Sequence, residues 1–263
     1  MAWYDKVQHG SNNYAFPEWQ LSGKDAIAKP GETIVVRFLP NPVVADFFTP
    51  DGMEIRNYEE EAPCPFVHAN MHWYTTTTGF RRRALCTRAL PDWVDQSVAR
   101  DCQLCTAGVR IDRRMAVNAY VITRASGQVG KVITNESGTP EVRIMLISRR
   151  IFDDILTMMT GQFGVGDITH PFTGRHISMV RPANRYDRWR LMAQPEKTKL
   201  AVPNPLAFLR SIQSVESILN EAFKRQTLDS IDLAATLESQ KDDGFAHKGH
   251  GQAGEDVGGT NWF

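Results

Sequence analysis

No stretch of this sequence is apolar for long enough to cross a membrane as a helix. None approaches the roughly 18 residues such a span needs, so a spanning helix is excluded. Cysteine is scarce, with 4 in 263 residues. That is too few for a disulfide scaffold in a chain of this size, and leaves metal binding or free thiols. An excess of charge of either sign is also lacking, since 30 Lys+Arg balance 30 Asp+Glu. Residues 1–10 carry no apolar core of the signal-peptide kind, so the expectation is a chain that stays in the cytoplasm. What is present is ordinary for a protein with a real core: 42% hydrophobic and 23% charged residues. The length suggests one large domain or two small ones.

The zero net charge hides a segregation. Residues 71–200 hold 20 Lys+Arg against 11 Asp+Glu, whereas residues 1–70 hold 5 against 10 and residues 201–263 hold 5 against 9. A basic middle between acidic flanks suits a core that binds a polyanion. Chance clustering on a solvated surface is the plain alternative.

Along the chain, residues 1–30 are polar and irregular, with Trp3, Tyr4, Tyr14, Phe16 and Trp19 following no period. They read as an arm docked on the core. The β-branched run 33–39 reads as a strand stopped by Pro40 and Pro42. Residues 41–62 read as a loop ending in Glu59-Glu60-Glu61. A second strand is expected over 66–74, with Phe66, His68, Asn70 and His72 on one face. Val67, Ala69, Met71 and Trp73 then form the other, apolar face. Residues 75–112 read mainly as loop and turns. Strands at 116–123 and 131–134 read as a hairpin, and 141–147 as a further strand. Ser148 is placed to cap a helix running to about Thr160, with Ile151, Ile155, Met158 and Met159 inward. A last strand is expected at 175–180. Asn204 and Pro205 open an amphipathic helix whose stripe is Leu206, Leu209, Ile212, Val215, Leu219 and Phe223. A shorter helix follows over 229–238. The Gly-rich residues 241–263, mildly acidic and ending in Trp262 and Phe263, are expected to be disordered.

Cys102-Gln103-Leu104-Cys105 is a Cys-x2-Cys knuckle of the spacing that holds a tetrahedral ion. Cys86, His72, His68 and Cys64 lie upstream as further donors. A zinc ion would also explain how so long a loop is held without an apolar core. The expected ligands are His72, Cys86, Cys102 and Cys105. His72 sits just after the strand core and nearest Cys86. His68, one step deeper on the same face, and Cys64 are the reserves. A redox dithiol is the competing reading, but it wants a βαβ context that this segment lacks. A catalytic His68-x3-His72 pair would need a helix.

Arginine and aromatic residues interleave across this basic middle. Arg81, Arg82, Arg83, Arg110, Arg113, Arg114, Arg185, Arg188 and Arg190 alternate with Trp73, Tyr74, Phe80, Tyr120, Tyr186 and Trp189. Single-stranded nucleic acid asks for this mixture, because arginines track phosphates while ring faces stack unpaired bases. Core packing is the alternative for each aromatic taken alone. No convincing catalytic set accompanies them. Asp153-Asp154 fall in a helical pattern and Glu59-Glu60-Glu61 in a solvated loop, so an enzyme, for instance a metal-dependent nuclease, is not expected. A zinc-containing RNA-binding or regulatory module is the nearer competitor.

The order of these features resembles one family. Gly31-Glu32-Thr33-Ile34-Val35-Val36-Arg37-Phe38-Leu39-Pro40 resembles the segment that opens the core of T-even-type phage single-stranded DNA-binding proteins. The His-Cys-Cys-x2-Cys order follows, as in their zinc subdomain. Arg113-Arg114-Met115-Ala116-Val117-Asn118-Ala119-Tyr120 is similar to their basic DNA-binding strand, residues 141–159 to their strand-then-helix, and residues 175–200, with Asn184-Arg185-Tyr186-Asp187, to their strand bearing a stacking aromatic. The resemblance spans residues 31–240. It implies a mainly β protein with some α structure. An OB-fold core, a five-stranded Greek-key barrel, would carry an inserted zinc subdomain over about 72–110 and helices over about 204–240. An N-terminal arm (1–30) and a C-terminal tail (241–263) would flank the core. It further implies one structural zinc ion and no enzymatic activity. The function implied is sequence-tolerant single-stranded DNA binding in phage replication, recombination and repair, in the host cytoplasm. DNA contacts would come from Arg81, Arg82, Arg83, Arg110, Arg113, Arg114, Tyr120, Arg185, Tyr186, Arg188 and Trp189. The chain would be a monomer in isolation, with replication proteins met through the tail. The arm departs from the family in holding only Lys6, Lys24 and Lys29 as basic residues.

Overall fold

The chain is organised around one long strand. Its elements run β1 (Glu18–Trp19), β2 (Thr33–Phe38), a 3-10 helix (Pro42–Phe47), α1 (Tyr58–Glu61), β3 (Val67–Thr76), β4 (Arg81–Leu85), α2 (Gln103–Thr106) and β5 (Ile111–Arg124). Then come β6 (Arg143–Ser148), α3 (Arg149–Thr160), β7 (Ile177–Val180), β8 (Arg190–Ala193), α4 (Pro205–Ser211), α5 (Val215–Arg225), β9 (Ile231–Asp232) and α6 (Leu233–Asp242). The computed structural model describes residues 18–19, 21, 26–88, 101–124, 131–162, 164–184, 188–225 and 231–242.

The long strand is β5, and it serves three antiparallel partners. Residues 111–116 pair with β3, 114–119 with β6 and 119–124 with β2. β2 continues to β7 and β7 to β8, β1 lies parallel to β6, and β3 carries β4 and β9. The architecture is therefore mixed α/β, built on a large open sheet broader than five strands.

Alternation sends the side chains of β5 to different cores. Val117, Ala119 and Val121 join Ile34, Val36 and Phe38 of β2 in the main core, which α3 closes with Ile151, Phe152 and Ile155. Ser148 caps α3 as expected, its hydroxyl accepting from the Ile151 amide at 3.3 Å. Ala116 joins Ala69, Met71 and Leu146 in a second core under Val215, Leu219 and Ala222 of α5. Tyr120 joins a third, with Val44 and Phe47 of the 3-10 helix and Leu206 and Leu209 of α4. Each buried Val, Leu or Ile contributes roughly 1.5–3 kcal/mol relative to exposure.

Several expectations are corrected. The apolar stripe from Leu206 to Phe223 is not one helix. The chain leaves α4 at Ile212 and restarts with the Ser214 hydroxyl accepting from the Ser217 amide at 3.2 Å. One stripe thus feeds two cores. The loop over 41–62 contains the 3-10 helix, capped by Asn41, and α1, capped by Asn57. Residues 75–112 include β4, and β8 was not anticipated. Residues 131–134 form no strand, but Thr134 bridges Pro140 and the Ile133 amide donates to the Val121 carbonyl. Of the arm, Trp19, Ile27 and Ala28 are buried in the main core, and the Trp19 indole N–H donates to the Ala119 carbonyl at 3.0 Å. Lys241 and Asp242, expected to begin the tail, end α6, and residues 1–17 and 243–263 lie outside the described residues.

His176, just before β7, links folding to pH. Its Nε2 lies 3.3 Å from the Thr198 hydroxyl. Burial, reinforced by the nearby Arg37 guanidinium and opposed by a hydrogen bond to Gln194, pushes its pKa down from 6.5 to about 4. Between those values the unfolded imidazole is protonated and the folded one is not. Protons therefore favour the unfolded chain there, and stability falls as pH drops from about 6.5 toward 4. The urea midpoint is expected to fall less over this window in His176→Gln than in the unmodified chain. Equal falls would show that His176 is not desolvated in the folded protein.

Candidate metal centre and basic face

Three segments bring four donors together. His72 is fully buried on β3, opposite Ala84 of β4 and Ile111 of β5. Cys86 follows β4 directly and is held there by its amide, which donates to the Asn70 carbonyl at 2.8 Å. Cys102 stands at the N-cap of α2, and Cys105 lies within that helix. The His72 Nε2 and the three sulfurs all lie within 4.8 Å of one another. Nε2 is 3.4 Å from Cys105 Sγ and 3.5 Å from Cys102 Sγ, and Cys86 and Cys105 sulfurs are 3.5 Å apart.

These separations fit a tetrahedral ion. Metal–sulfur bonds of about 2.3 Å and metal–nitrogen bonds of about 2.0–2.1 Å place neighbouring ligand atoms about 3.6–3.8 Å apart. His72 is oriented for the task. Its Nδ1 lies 3.2 Å from the Arg110 carbonyl, to which it donates, so the lone pair is on Nε2, facing the sulfurs. The surroundings are apolar, formed by Tyr74, Ala84, Leu104 and Val109. Burial and the adjacent Cys86 and Cys102 sulfurs push the Cys105 thiol up to about 12. A cation among these sulfurs would reverse that and favour thiolates. The four expected ligands are those the fold assembles. His68 is exposed on β3, and Cys64 sits before the strand with its thiol 3.5 Å from the Phe66 carbonyl. Neither joins the cluster. His68 and His72 lie on a strand, roughly 13 Å apart at about 3.3 Å per residue, too far to chelate one ion.

The basic residues divide by what holds them. Arg81, Arg82 and Arg83 lie on β4, not in a loop, at registers opposite Thr75, Tyr74 and Trp73. Arg83 makes a nearly buried ion pair with Glu18 of β1 at 2.5 Å, with side chains 11% and 9% exposed, and its guanidinium lies 5.0 Å over the Trp73 ring. Burial holds the Glu18 carboxyl above its ordinary range even with Arg83 against it. Arg83 is therefore committed internally rather than offered to phosphate. Arg114 is held by Asp112 at 2.9 Å, and Asp112 also accepts from the Trp73 indole at 3.0 Å. Arg110 and Arg113 are exposed, Arg110 beside the donor cluster and Arg113 opposite Asn70.

Tyr120 corrects an expected DNA contact. It is fully buried and its hydroxyl accepts from the Ala201 amide at 3.2 Å, so its ring packs in the third core and presents no face for stacking. Trp189 is half-buried against the main core, while Arg188 is exposed. Arg185 and Tyr186 lie outside the described residues. A cleft of about 550 Å³ lies between Phe48, Glu54, Tyr58, Glu59, His170 and Phe172. Among the described residues no lysine or arginine lines it and two carboxylates do, so it is unsuited to phosphate.

No protein-family model matches the chain, and no curated protein matches it.

Proposed function

We propose that this chain is a sequence-tolerant, non-enzymatic single-stranded DNA-binding protein of the T-even phage type, with one structural zinc ion at His72, Cys86, Cys102 and Cys105. The observation that carries the reading is the placement of exposed Arg110 and Arg113, just before and within β5, beside the donor cluster. The Arg110 carbonyl orients His72, and Arg113 lies two residues along β5 from Ile111, which pairs with His72. A folded metal clamp next to basic strands preorganises phosphate contacts without contributing chemistry of its own. Three thiolates and one imidazole in a closed tetrahedron favour zinc over magnesium or calcium, which take oxygen ligands. In this reading the OB-like part of the sheet is the group of strands around β5, and the tail recruits replication proteins in the host cytoplasm.

Titrating tryptophan fluorescence with oligo-dT at two salt concentrations tests the proposal. Binding should be tight at low salt and fall with a log–log slope of about 0.7 per phosphate contact. Arg113→Ala is expected to reduce the slope by about 0.7, and Arg114→Ala by less, because Asp112 already neutralises it. Competition with RNA and duplex of equal length separates the RNA-binding reading, and stable oligonucleotide after incubation with metal separates the nuclease. Failure to bind oligo-dT at low salt would end the proposal.

A further inference from the structure

We propose that the tip of the β3–β4 hairpin, residues 76–82, is a base-stacking wedge on which the Phe80 ring takes an unpaired nucleobase of the bound strand. The inference rests on the single-strand reading above and names where in the fold a base would be held. Phe80 is 59% exposed, and it is the aromatic among the exposed large hydrophobic side chains of the described residues. The others are aliphatic or methionine, for example Met53, Ile55 and Met192. A phenyl ring left in water gives up the stabilisation that burial would bring, so a ligand that covers it at this built turn would recover that stabilisation.

The turn is built. The Thr76 amide donates to the Phe80 carbonyl at 2.8 Å, and the Phe80 amide donates to the Thr76 hydroxyl at 3.1 Å. The Gly79 amide donates to the Thr76 carbonyl at 2.8 Å, and Gly79 has φ +80°, which a residue with a side chain rarely adopts. The base of the hairpin is gripped from two sides. Thr75 and Thr76 pair with β9, and the Thr75 amide donates to the Thr236 hydroxyl of α6 at 2.8 Å. At the far end of β4, Cys86 enters the donor cluster. The backbone that carries Phe80 is thus fixed before any ligand arrives, which lowers the ordering cost of binding.

Chemistry around the ring selects the ligand. Residues 75–84 read Thr75-Thr76-Thr77-Thr78-Gly79-Phe80-Arg81-Arg82-Arg83-Ala84, with hydroxyls and cations and no carboxylate. Ladder parity puts Thr76, Phe80 and Arg82 on the face that carries the buried Tyr74 and His72, with Asn70 and Arg113 farther along it beyond them. A ring beside a cation, in a segment without carboxylates, suits a ligand that is aromatic and anionic together, and an unstacked nucleotide is both. An apolar protein surface would meet the same cations at a desolvation cost.

The test uses the full chain and an oligo-dT bearing 5-iodouracil. Irradiation is expected to give an adduct that maps to Phe80. Phe80→Ala should weaken oligo-dT binding by about 5- to 150-fold, the range stacking contributes per base, with no change in salt slope. Phe80→Trp should hold affinity within about 2-fold, and Phe80→Leu should lose it as Ala does, because stacking needs a π face. Metal content and thermal midpoint should be unchanged in all three, since the side chain is outside the core. If the unmodified chain binds oligo-dT but Phe80→Ala binds equally well and adducts map elsewhere, the wedge is wrong and the single-strand reading stands. Full affinity in Phe80→Leu would also overturn the wedge, in favour of a plain apolar contact. If the unmodified chain does not bind, both fail together.

Discussion

Cys102→Ser is expected to strip the bound metal from the protein and lower its thermal midpoint by roughly 10 °C or more. The four donors come from β3, the end of β4 and α2; a ladder also joins β3 to β4, but among the described residues α2 has little besides the donors to tie it to them. α2 has 4 residues, far below the roughly 12–15 at which an isolated helix becomes even marginal. The apolar cluster around it is small, its buried members besides the cysteines being Tyr74, Ala84, Leu104 and Val109 among the described residues. Loss of a structural metal belongs to the tail of single-substitution effects, about 4 kcal/mol or more. At about 2–4 °C per kcal/mol for a protein of roughly this size, that gives the shift. Serine removes the ligand without weakening the helix start. Cys102 makes no side-chain capping bond, and serine is a good N-cap residue. The loss would therefore report the metal. Proteolysis should open at residues 102–110 in the variant first. Cys64→Ser and His68→Ala, outside the cluster, should keep both metal and midpoint, whereas His72→Ala should lose both. A purified chain with no bound metal, whose midpoint Cys102→Ser leaves within 2 °C, would remove the centre from the structure.

The donor cluster was legible because chelation leaves a local mark. Cys-x2-Cys fixes two donors by spacing, and the strand period put His72 nearer to Cys86 than His68. Ser148 and α3 were legible for the same reason, since a cap and an apolar period are read within one helix. What the sequence concealed depends on partners far along the chain. Three consecutive arginines have no period of 2, so β4 reads as loop until β3 pairs with it across the turn at Gly79. Arg83 reads as a phosphate contact until Glu18, 65 residues earlier, is found against it. Tyr120 could be core or ligand face, and only the packing of α4 and residue 201 against it decides. The stripe of Leu206 to Phe223 kept helical spacing through a break, because Ser214 starts a second helix in phase with the first. Arg37 shows the limit most sharply. Nothing in the β-branched run around it marks this lone arginine as buried, yet it is fully buried, and burial lowers its pKa.

That buried guanidinium sets the second large effect. Gly174→Ala is expected to cost about 3 kcal/mol or more, the upper end of what overpacking costs, and to lower the midpoint by roughly 6–12 °C. A Cβ at Gly174 would lie 2.5 Å from Arg37 Nη2 and 2.6 Å from the carbonyl oxygens of His170 and Ile168. These neighbours cannot move freely. The His170 carbonyl accepts from the Gly174 amide at 2.9 Å and from Arg37 Nη2 at 2.7 Å, and the Ile168 carbonyl accepts from the Arg175 amide at 3.0 Å. Arg37 Nη2 also donates to the Thr198 carbonyl at 3.1 Å, so one side chain of β2 ties down both the segment before β7 and the segment after β8. Its Nε and Nη1 have no hydrogen-bond partner among the described residues, which makes the site costly already and poorly able to absorb a shift. Combining Gly174→Ala with Arg37→Met separates the two kinds of obstacle. Methionine removes the guanidinium contact but leaves both carbonyl oxygens at 2.6 Å, so little of the lost stability should return. Urea unfolding of the two single variants and the double variant measures this as a coupling energy. Full recovery in the double variant would mean that the backbone here yields and that the guanidinium alone excludes a side chain. A Gly174→Ala protein within about 1 kcal/mol of the unmodified chain, the bottom of the overpacking range, would mean that Arg37 does not hold these segments as closely as described.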